Sequence, residues 1–431
     1  MSDLNMCALD TATPGGPLQV CPAAGQEWHE LLAANREELL QELSAHGAIL
    51  FRGFAIRSAQ DFEAFTGALV EKWMDYKDRA SKRSLVAGKV YTSTDTPSGF
   101  RIQLHNESSF TSRWPGKIFF YCQKAAAQGG RTPIADSRKI YQTLPAELRA
   151  PFEEHGVMYV RNFGEGVGMD WRDVFQVETR EELEQYCTEA AIQFTWLDQD
   201  RLRTIQTRPA SLRHPLTNET VWFNHAMALH VSSLDQSLRD VLLRQHGEEN
   251  LPHNTYYGNG QPIDDDTMGS IRQAYEGATT LFEWQAGDVL MLDNLLYAHG
   301  REAYSGERKV FAAMADPGSW SACGYALELP KSEPLTSVNV NASGLATAVQ
   351  NQETVSALED WFLDAVAREL QLASVQGADN FVDMGGDSLS AVALLEDSCE
   401  KFGVEIDLDV FLSAETLDAI LAALRAELEA N

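Results

Sequence analysis

Basic residues are scarce in this chain. Against 63 Asp and Glu it has only 34 Lys and Arg, a formal net charge of −29 over 431 residues. Binding to DNA or RNA needs a basic face to neutralise phosphates, so this balance argues against a nucleic-acid partner. An anionic membrane surface is disfavoured for the same reason. Cysteine is sparse too: Cys7, Cys21, Cys122, Cys187, Cys323 and Cys399 are scattered, with no CxxC pair. That argues against a disulfide framework or a thiolate metal site and fits a reducing compartment. No apolar run approaches the ~18–20 residues that span a bilayer. The opening Met1-Ser2-Asp3-Leu4-Asn5 lacks the basic start and apolar run of a secretory signal. The expectation is a cytoplasmic protein without a membrane partner.

What is present points to packed domains. Hydrophobic residues make up 44% of the chain, enough for substantial cores, and the length exceeds one ordinary core. Two domains are therefore expected, and no internal repeat is visible. The charge is unevenly spread. From Glu353 to Asn431 there are 18 acidic against 3 basic side chains, so about half the excess negative charge sits in less than a fifth of the chain. Such a run is a solvated face, and it also suits docking by basic partners.

Residues 1–30 read as irregular. Apolar spacing from Leu31 to Leu43 predicts a helix ending at His46-Gly47, followed by a short strand from Ala48 to Phe54. Helical patches are expected near 138–154 and 178–192. Strand patterns recur at Lys117–Cys122, Val157–Val160, Thr220–Asn224, Val289–Asp293 and Lys309–Met314. Many short strands with helices outside them predict an antiparallel sandwich or barrel with helical insertions. Lys331–Gln352 lacks periodicity and reads as a linker between a first domain, 1–330, and a second, 353–431. Beyond it, Val355, Leu358, Phe362, Val366 and Leu370 mark an amphipathic helix. Two more helices, Ser388 to about Phe402 and about Thr416 to Leu428, complete a small bundle.

Chemistry gathers at Leu104-His105-Asn106-Glu107. Residues i and i+2 of a strand share a face, so His105 and Glu107 can aim together into a barrel. Two imidazoles and one carboxylate on one face of Fe(II) leave positions open for a bidentate keto acid and dioxygen. The third ligand must come from a distant strand, and His299 is the best candidate. Arg308, nine residues later, can grip the far carboxylate of a keto acid bidentately. Arg301 is the substitute anchor. Asn224 can face a substrate or serve as a buried hydrogen-bonding residue, while His225 and His230 read as ordinary core or loop histidines.

The blocks Leu104-His105-Asn106-Glu107, Gly129-Gly130-Arg131-Thr132-Pro133-Ile134-Ala135-Asp136-Ser137, Val221-Trp222-Phe223-Asn224 and Leu292-Asp293-Asn294 with His299-Gly300-Arg301 occur in this order. Through them, residues 45–318 resemble the taurine dioxygenase/clavaminate synthase superfamily of iron/2-oxoglutarate oxygenases. The likeness is greatest to its syringomycin-type branch, which hydroxylates amino acids for peptide natural products. The resemblance implies an α+β fold built on a double-stranded β-helix, or jelly roll. It assigns His105, Glu107 and His299 to iron, and Thr132 and Arg308 to 2-oxoglutarate, although Thr132 can equally close the Gly-Gly turn. No catalytic residue beyond the metal site is implied. Related halogenases lack the carboxylate ligand, so Glu107 favours hydroxylation; desaturation or epoxidation remains open.

Near the C-terminus, Phe381-Val382-Asp383-Met384-Gly385-Gly386-Asp387-Ser388-Leu389 places a serine at a helix start. The partial positive charge of a helix N-terminus favours a phosphodiester there. Through this motif, residues 353–428 resemble the acyl and peptidyl carrier domains of non-ribosomal peptide and polyketide assembly lines. The resemblance makes Ser388 the attachment point of 4′-phosphopantetheine. It also implies a phosphopantetheinyl transferase, other assembly-line enzymes and, as no adenylation motif is visible in the chain, a separate loading enzyme as partners. The leading expectation is a hydroxylase acting on an aminoacyl or acyl thioester carried by its own Ser388. The same oxygenase could instead act on a free amino acid or on another protein's carrier, or the barrel could be an inert scaffold.

Overall fold

A computed structural model describes residues 4–9, 16–23, 27–74, 78, 84–94, 96, 98–164, 169–197, 201–234, 236–331, 334, 352–370, 372–386, 388–404 and 406–430. The chain divides into two compact units. One lies within Met1–Arg161, Met169–Ser233 and Asn254–Leu335; the other lies within Asn162–Gly168, Leu234–His253 and Thr336–Asn431.

The first unit is organised by a sheet of eight described strands. In spatial order they are Leu4–Ala8, Leu18–Pro22, Ala48–Phe51, Val289–Asp293, Arg113–Lys124, Lys309–Ser319, Val90–Thr92 and Leu85–Ala87. Its central strands Ala48–Phe51 and Val289–Asp293 are buried at every position, as continuous apolar runs covered on both faces should be. Alternation along the strands divides their side chains between two cores. Ile49, Phe51, Phe119, Tyr121, Val289 and Met291 pack with Leu32, Leu39, Leu43, Phe62 and Phe65 of the helices Trp28–His46 and Ala59–Gly67. Leu50, Ile118, Phe120, Leu290 and Leu292 face the opposite way, toward Ile134 and Tyr297.

Those two residues belong to a smaller sheet in the order Thr279–Thr280, Ile134–Asp136, Tyr297–Arg301 and Ile102–His105. The two sheets are the halves of a jelly roll, with an apolar interior between them. A third sheet, Gln193–Trp196, Leu202–Arg208, Val157–Phe163 and His253–Tyr257, is an addition to this frame.

The N-terminal region departs from the expectation of irregular chain. Leu4–Ala8 and Leu18–Pro22 pair antiparallel, and the second runs parallel to Ala48–Phe51. Burial of Leu4, Leu18 and Val20 against the first core stabilises them. Tertiary packing, rather than local propensity, makes these strands.

The second unit contains the helices Gln352–Glu369, Ser388–Phe402, Leu408–Ser413 and Leu417–Ala430. Phe362, Val366, Phe381, Val392, Leu395, Phe411, Ile420 and Leu424 form its core, as the apolar spacing predicts. The side chain of Leu389 lies outside the described residues. The helix Gln236–His246 belongs to the same unit and contributes the fully buried Val241. Of the expected linker Lys331–Gln352, residues other than 331, 334 and 352 lie outside the described residues. No described helix is long and apolar enough to cross a membrane.

Candidate metal centre

His299 occupies the middle of Tyr297–Arg301, a strand buried along its whole length. It pairs with Ile134 on one side and with His105 on the other. The pairing with Ile102–His105 shifts register between His299 and Arg301, a bulge beside the two histidines. Between them Gly300 is sterically required: an added Cβ would stand 2.6 Å from the Ile102 carbonyl oxygen.

Ligand atoms of His105, Glu107 and His299 all lie within 4.8 Å of one another. The two imidazole centres are 4.5 Å apart, and His299 Nε2 stands 3.7 Å from Glu107 Oε2. That last distance is too long for a hydrogen bond and suits two donors sharing an ion. His105 Nδ1 is 2.7 Å from the Gln103 carbonyl. Because a carbonyl only accepts, Nδ1 carries the proton and Nε2 keeps its lone pair for a metal. Glu107 and His299 are only 2% and 4% exposed. Burial of an acid beside two imidazoles fits a divalent cation, and the nitrogen–nitrogen–oxygen set fits iron.

The convergence does not come from strand alternation alone. The strand ends at His105, and Glu107 sits in the following turn, where Ser108 has φ +56°. Its main chain is held by Asn294, whose Oδ1 accepts from Glu107 N–H at 2.7 Å and whose Nδ2 donates to the Glu107 carbonyl at 2.9 Å. The structure brings together the residue pair that the sequence singles out, but the i, i+2 explanation is incomplete, because Glu107 lies beyond the end of the strand.

Arg308 precedes the strand Lys309–Ser319 and reaches inward. Its Nε donates to the Gly130 carbonyl at 3.0 Å, and Nη2 lies 3.5 Å from Thr132 Oγ1. Among the described residues no carboxylate pairs with it. Burial, reinforced by Arg301, lowers its pKa to about 10. Thr132 is 3% exposed and accepts from Trp284 Nε1 at 3.0 Å, leaving its own hydroxyl hydrogen to donate. A part-buried guanidinium lacking an acidic partner among the described residues, next to a donor hydroxyl, fits the carboxylate of a keto acid. Arg301 is engaged elsewhere: its Nη1 and Nη2 donate to the carbonyls of Thr96 and Phe100 at 2.8 and 2.7 Å.

Asn224 has a local role, donating to the Ala210 carbonyl and accepting from Ala226 N–H. His230 is bonded to Ser232 within its own turn. His225 is a core histidine, as expected, and it lies beside the candidate metal centre. Its ring lies 5.0 Å from that of His105 and 5.1 Å from that of Phe110, with Nδ1 2.8 Å from Ser109 Oγ. Burial, then the neighbouring His105, holds its pKa well below the usual histidine range, so it is neutral there. Nothing local in the sequence signals this position, because the neighbours come from distant segments.

Residues 13–314 match the family model "Taurine catabolism dioxygenase TauD, TfdA family". The chain belongs to this family. Residues 360–424 match the phosphopantetheine attachment site. The protein is thus an iron/2-oxoglutarate-dependent dioxygenase fused to a carrier domain, with Fe(II), 2-oxoglutarate and 4′-phosphopantetheine as its cofactors. A carrier domain implies modification by a phosphopantetheinyl transferase and assembly-line partners.

The chain is 41% identical over 275 residues to dapdiamide synthesis protein DdaC of Enterobacter agglomerans, covering 64% of this chain and 84% of that protein. It is 29% identical over 283 residues to a clavaminate synthase-like protein of Arabidopsis thaliana, covering 63% and 82% respectively. Among solved structures, the PvcB protein of Pseudomonas aeruginosa superposes with a TM-score of 0.45 at 16% identity, over 72% of this chain and 91% of that one.

In the carrier motif, Ser388 is the first residue of the helix Ser388–Phe402. The side chain of Ser388 and all of Asp387 lie outside the described residues. The preceding turn has Gly385 at φ +98°. Gly386 lies against Phe381, whose ring an added Cβ would meet at 2.4 Å.

Proposed function

We propose that this oxygenase hydroxylates an aminoacyl or acyl group held as a thioester on its own carrier domain. In this reading His105, Glu107 and His299 hold the iron, Thr132 and Arg308 hold 2-oxoglutarate, and Ser388 bears the arm. The observation that carries it is the clustering of three ligand groups within 4.8 Å in a chain that also matches the attachment site.

Bound iron with 2-oxoglutarate and dioxygen supplies the oxidation of a C–H bond, releasing succinate and carbon dioxide. The protein's part is positioning. The ladder fixes both imidazoles, Arg308 and Thr132 orient the keto acid's far carboxylate, and burial keeps bulk water away from the carboxylate ligand. Retention of Glu107 supports hydroxylation over halogenation. A tethered substrate raises local concentration to ~mM, so the pocket need not supply all the affinity.

Three further observations support this reading. The helix Gln236–His246 lies within the stretch matched by the oxygenase family, yet it forms one compact unit with the carrier helices. The relative from Enterobacter agglomerans bears the name of a synthesis protein, which supports a biosynthetic setting. The acidic stretch from Glu353 onward suits basic modifying and loading partners.

The test compares succinate release with a free amino acid, the protein loaded on its own carrier, and a separately loaded carrier. Turnover confined to the self-loaded protein, and abolished with arm attachment in Ser388→Ala, is the expected result. Equal turnover of the free amino acid would overturn the tethered reading. Products lacking the added oxygen but carrying a new double bond would replace hydroxylation by desaturation.

A further inference from the structure

Glu107 is the one member of the trio outside a strand. The ladder between Ile102–His105 and Tyr297–Arg301 fixes His105 and His299 but stops short of it. Asn294 stands in for the missing strand. Its amide oxygen accepts from Glu107 N–H at 2.7 Å, while its amide nitrogen donates to the carbonyls of Glu107 and Pro115, each at 2.9 Å. One planar group thus satisfies both main-chain groups of Glu107, as a neighbouring residue does in a sheet. The main chain of Asn294 adds two bonds: its carbonyl accepts from Asn106 Nδ2 at 2.7 Å, and its N–H donates to the Gly116 carbonyl at 3.0 Å. Asn294 is fully buried, so water cannot replace a lost partner.

Asn294 is itself well anchored. It lies in the turn between Val289–Asp293 and Tyr297–Arg301, five residues ahead of His299. Asp293 closes that turn, its Oδ1 accepting from the N–H groups of Leu295 and Leu296 at 2.9 and 3.3 Å. His214 Nε2 lies 3.1 Å from Asp293 Oδ2. A single turn linking the two sheets therefore carries one ligand on its outgoing strand and grips another across 187 residues of sequence.

We propose that Asn294 is a positioning residue of the metal centre, fixing the main chain at Glu107 so that its carboxylate meets the two imidazoles. The inference rests on the reading that His105, Glu107 and His299 bind iron. It assigns Asn294 no contact with the metal or with substrate; Asn294 acts through Glu107.

The experiment uses the full chain, stripped of metal and titrated with Fe(II) under anaerobic conditions, with the thermal midpoint read on the same samples. Asn294→Asp keeps the shape and the acceptor for Glu107 N–H but turns a second oxygen toward two carbonyls. Asn294→Ser removes the grip with less perturbation and provides the reading if the aspartate variant does not fold. The expected result is a loss of Fe(II) affinity of about tenfold or more, the range seen when partners of metal ligands are removed. The folded variants should also show a changed visible spectrum when loaded with Co(II). Wild-type affinity and spectrum with only a lowered midpoint would make Asn294 merely structural and overturn the proposal. Glu107→Ala separates the two levels. If it binds Fe(II) like the wild type, the metal reading falls and the inference with it. If it weakens binding while both Asn294 variants do not, only the inference falls.

Discussion

His105 and His299 are direct partners across two antiparallel strands, with ring centres 4.5 Å apart. Main-chain pairing sets this relationship, and the side chains add little to it. Chemistry and stability are therefore separable at these positions.

His299→Ala is expected to fold, because the strand keeps its ladder and loses only one ring packed 4.9 Å from Phe120. Iron-dependent succinate formation should fall by more than about 100-fold, beyond the usual effect of a residue that merely supports a ligand. Succinate assays on protein with an unchanged circular dichroism spectrum check it; near-normal coupling would remove His299 from the site.

Arg308→Gln should split two measurements. The guanidinium is part-buried without an acidic partner among the described residues, and its pKa falls to about 10. Replacing it should leave the midpoint of the ligand-free protein unchanged or slightly higher. The KM for 2-oxoglutarate should rise by about 30-fold or more, the equivalent of ~2 kcal/mol for truncating one side of a buried charge pair. A lower ligand-free midpoint with an unchanged KM would point to a structural arginine.

Gly386→Ala should damage the carrier unit without touching the iron site. The new methyl group would collide with Phe381, which is 1% exposed and packs edge-on against Phe411 at 5.0 Å. Overpacking of this kind costs about 1–3 kcal/mol. Denaturation of the full chain should show a lowered carrier transition, and intact mass should show slower arm attachment. Full, fast attachment would mean the turn tolerates the methyl group.

Asp78→Asn should cost about 3 kcal/mol or more, because breaking a buried pair strands the remaining charge. Asp78 Oδ1 accepts from Arg161 Nη1 at 2.6 Å, and the two side chains are 1% and 8% exposed. Arg161 also lies over the ring of Phe110, 5.1 Å from its centroid. A shift in denaturant midpoint at unchanged slope is the measurement; a change within 0.5 kcal/mol, typical of an exposed position, would show the pair to be dispensable.

Much of the fold was legible in the sequence because local signals agreed with tertiary ones. Val289–Leu292 is an uninterrupted apolar run, and the strand it opens, Val289–Asp293, is central and buried throughout. The helix Ser388–Phe402 begins and ends where its serine and following glycine suggest. Leu4–Ala8 and Leu18–Pro22 were not legible, since short strands at a sheet edge depend on what they pack against. The candidate trio His105, Glu107 and His299 could be singled out from separated motif blocks, but its geometry could not. Asn294 acts on main-chain atoms distant in sequence, and His225 approaches His105 only through the fold. Contacts of that kind leave no spacing to read.

Because Glu107 hangs from a turn rather than from the sheet, its side chain can be exchanged without breaking any ladder hydrogen bond. Evolution can therefore rework the chemistry of such a pocket at one codon while the surrounding barrel goes on folding as before.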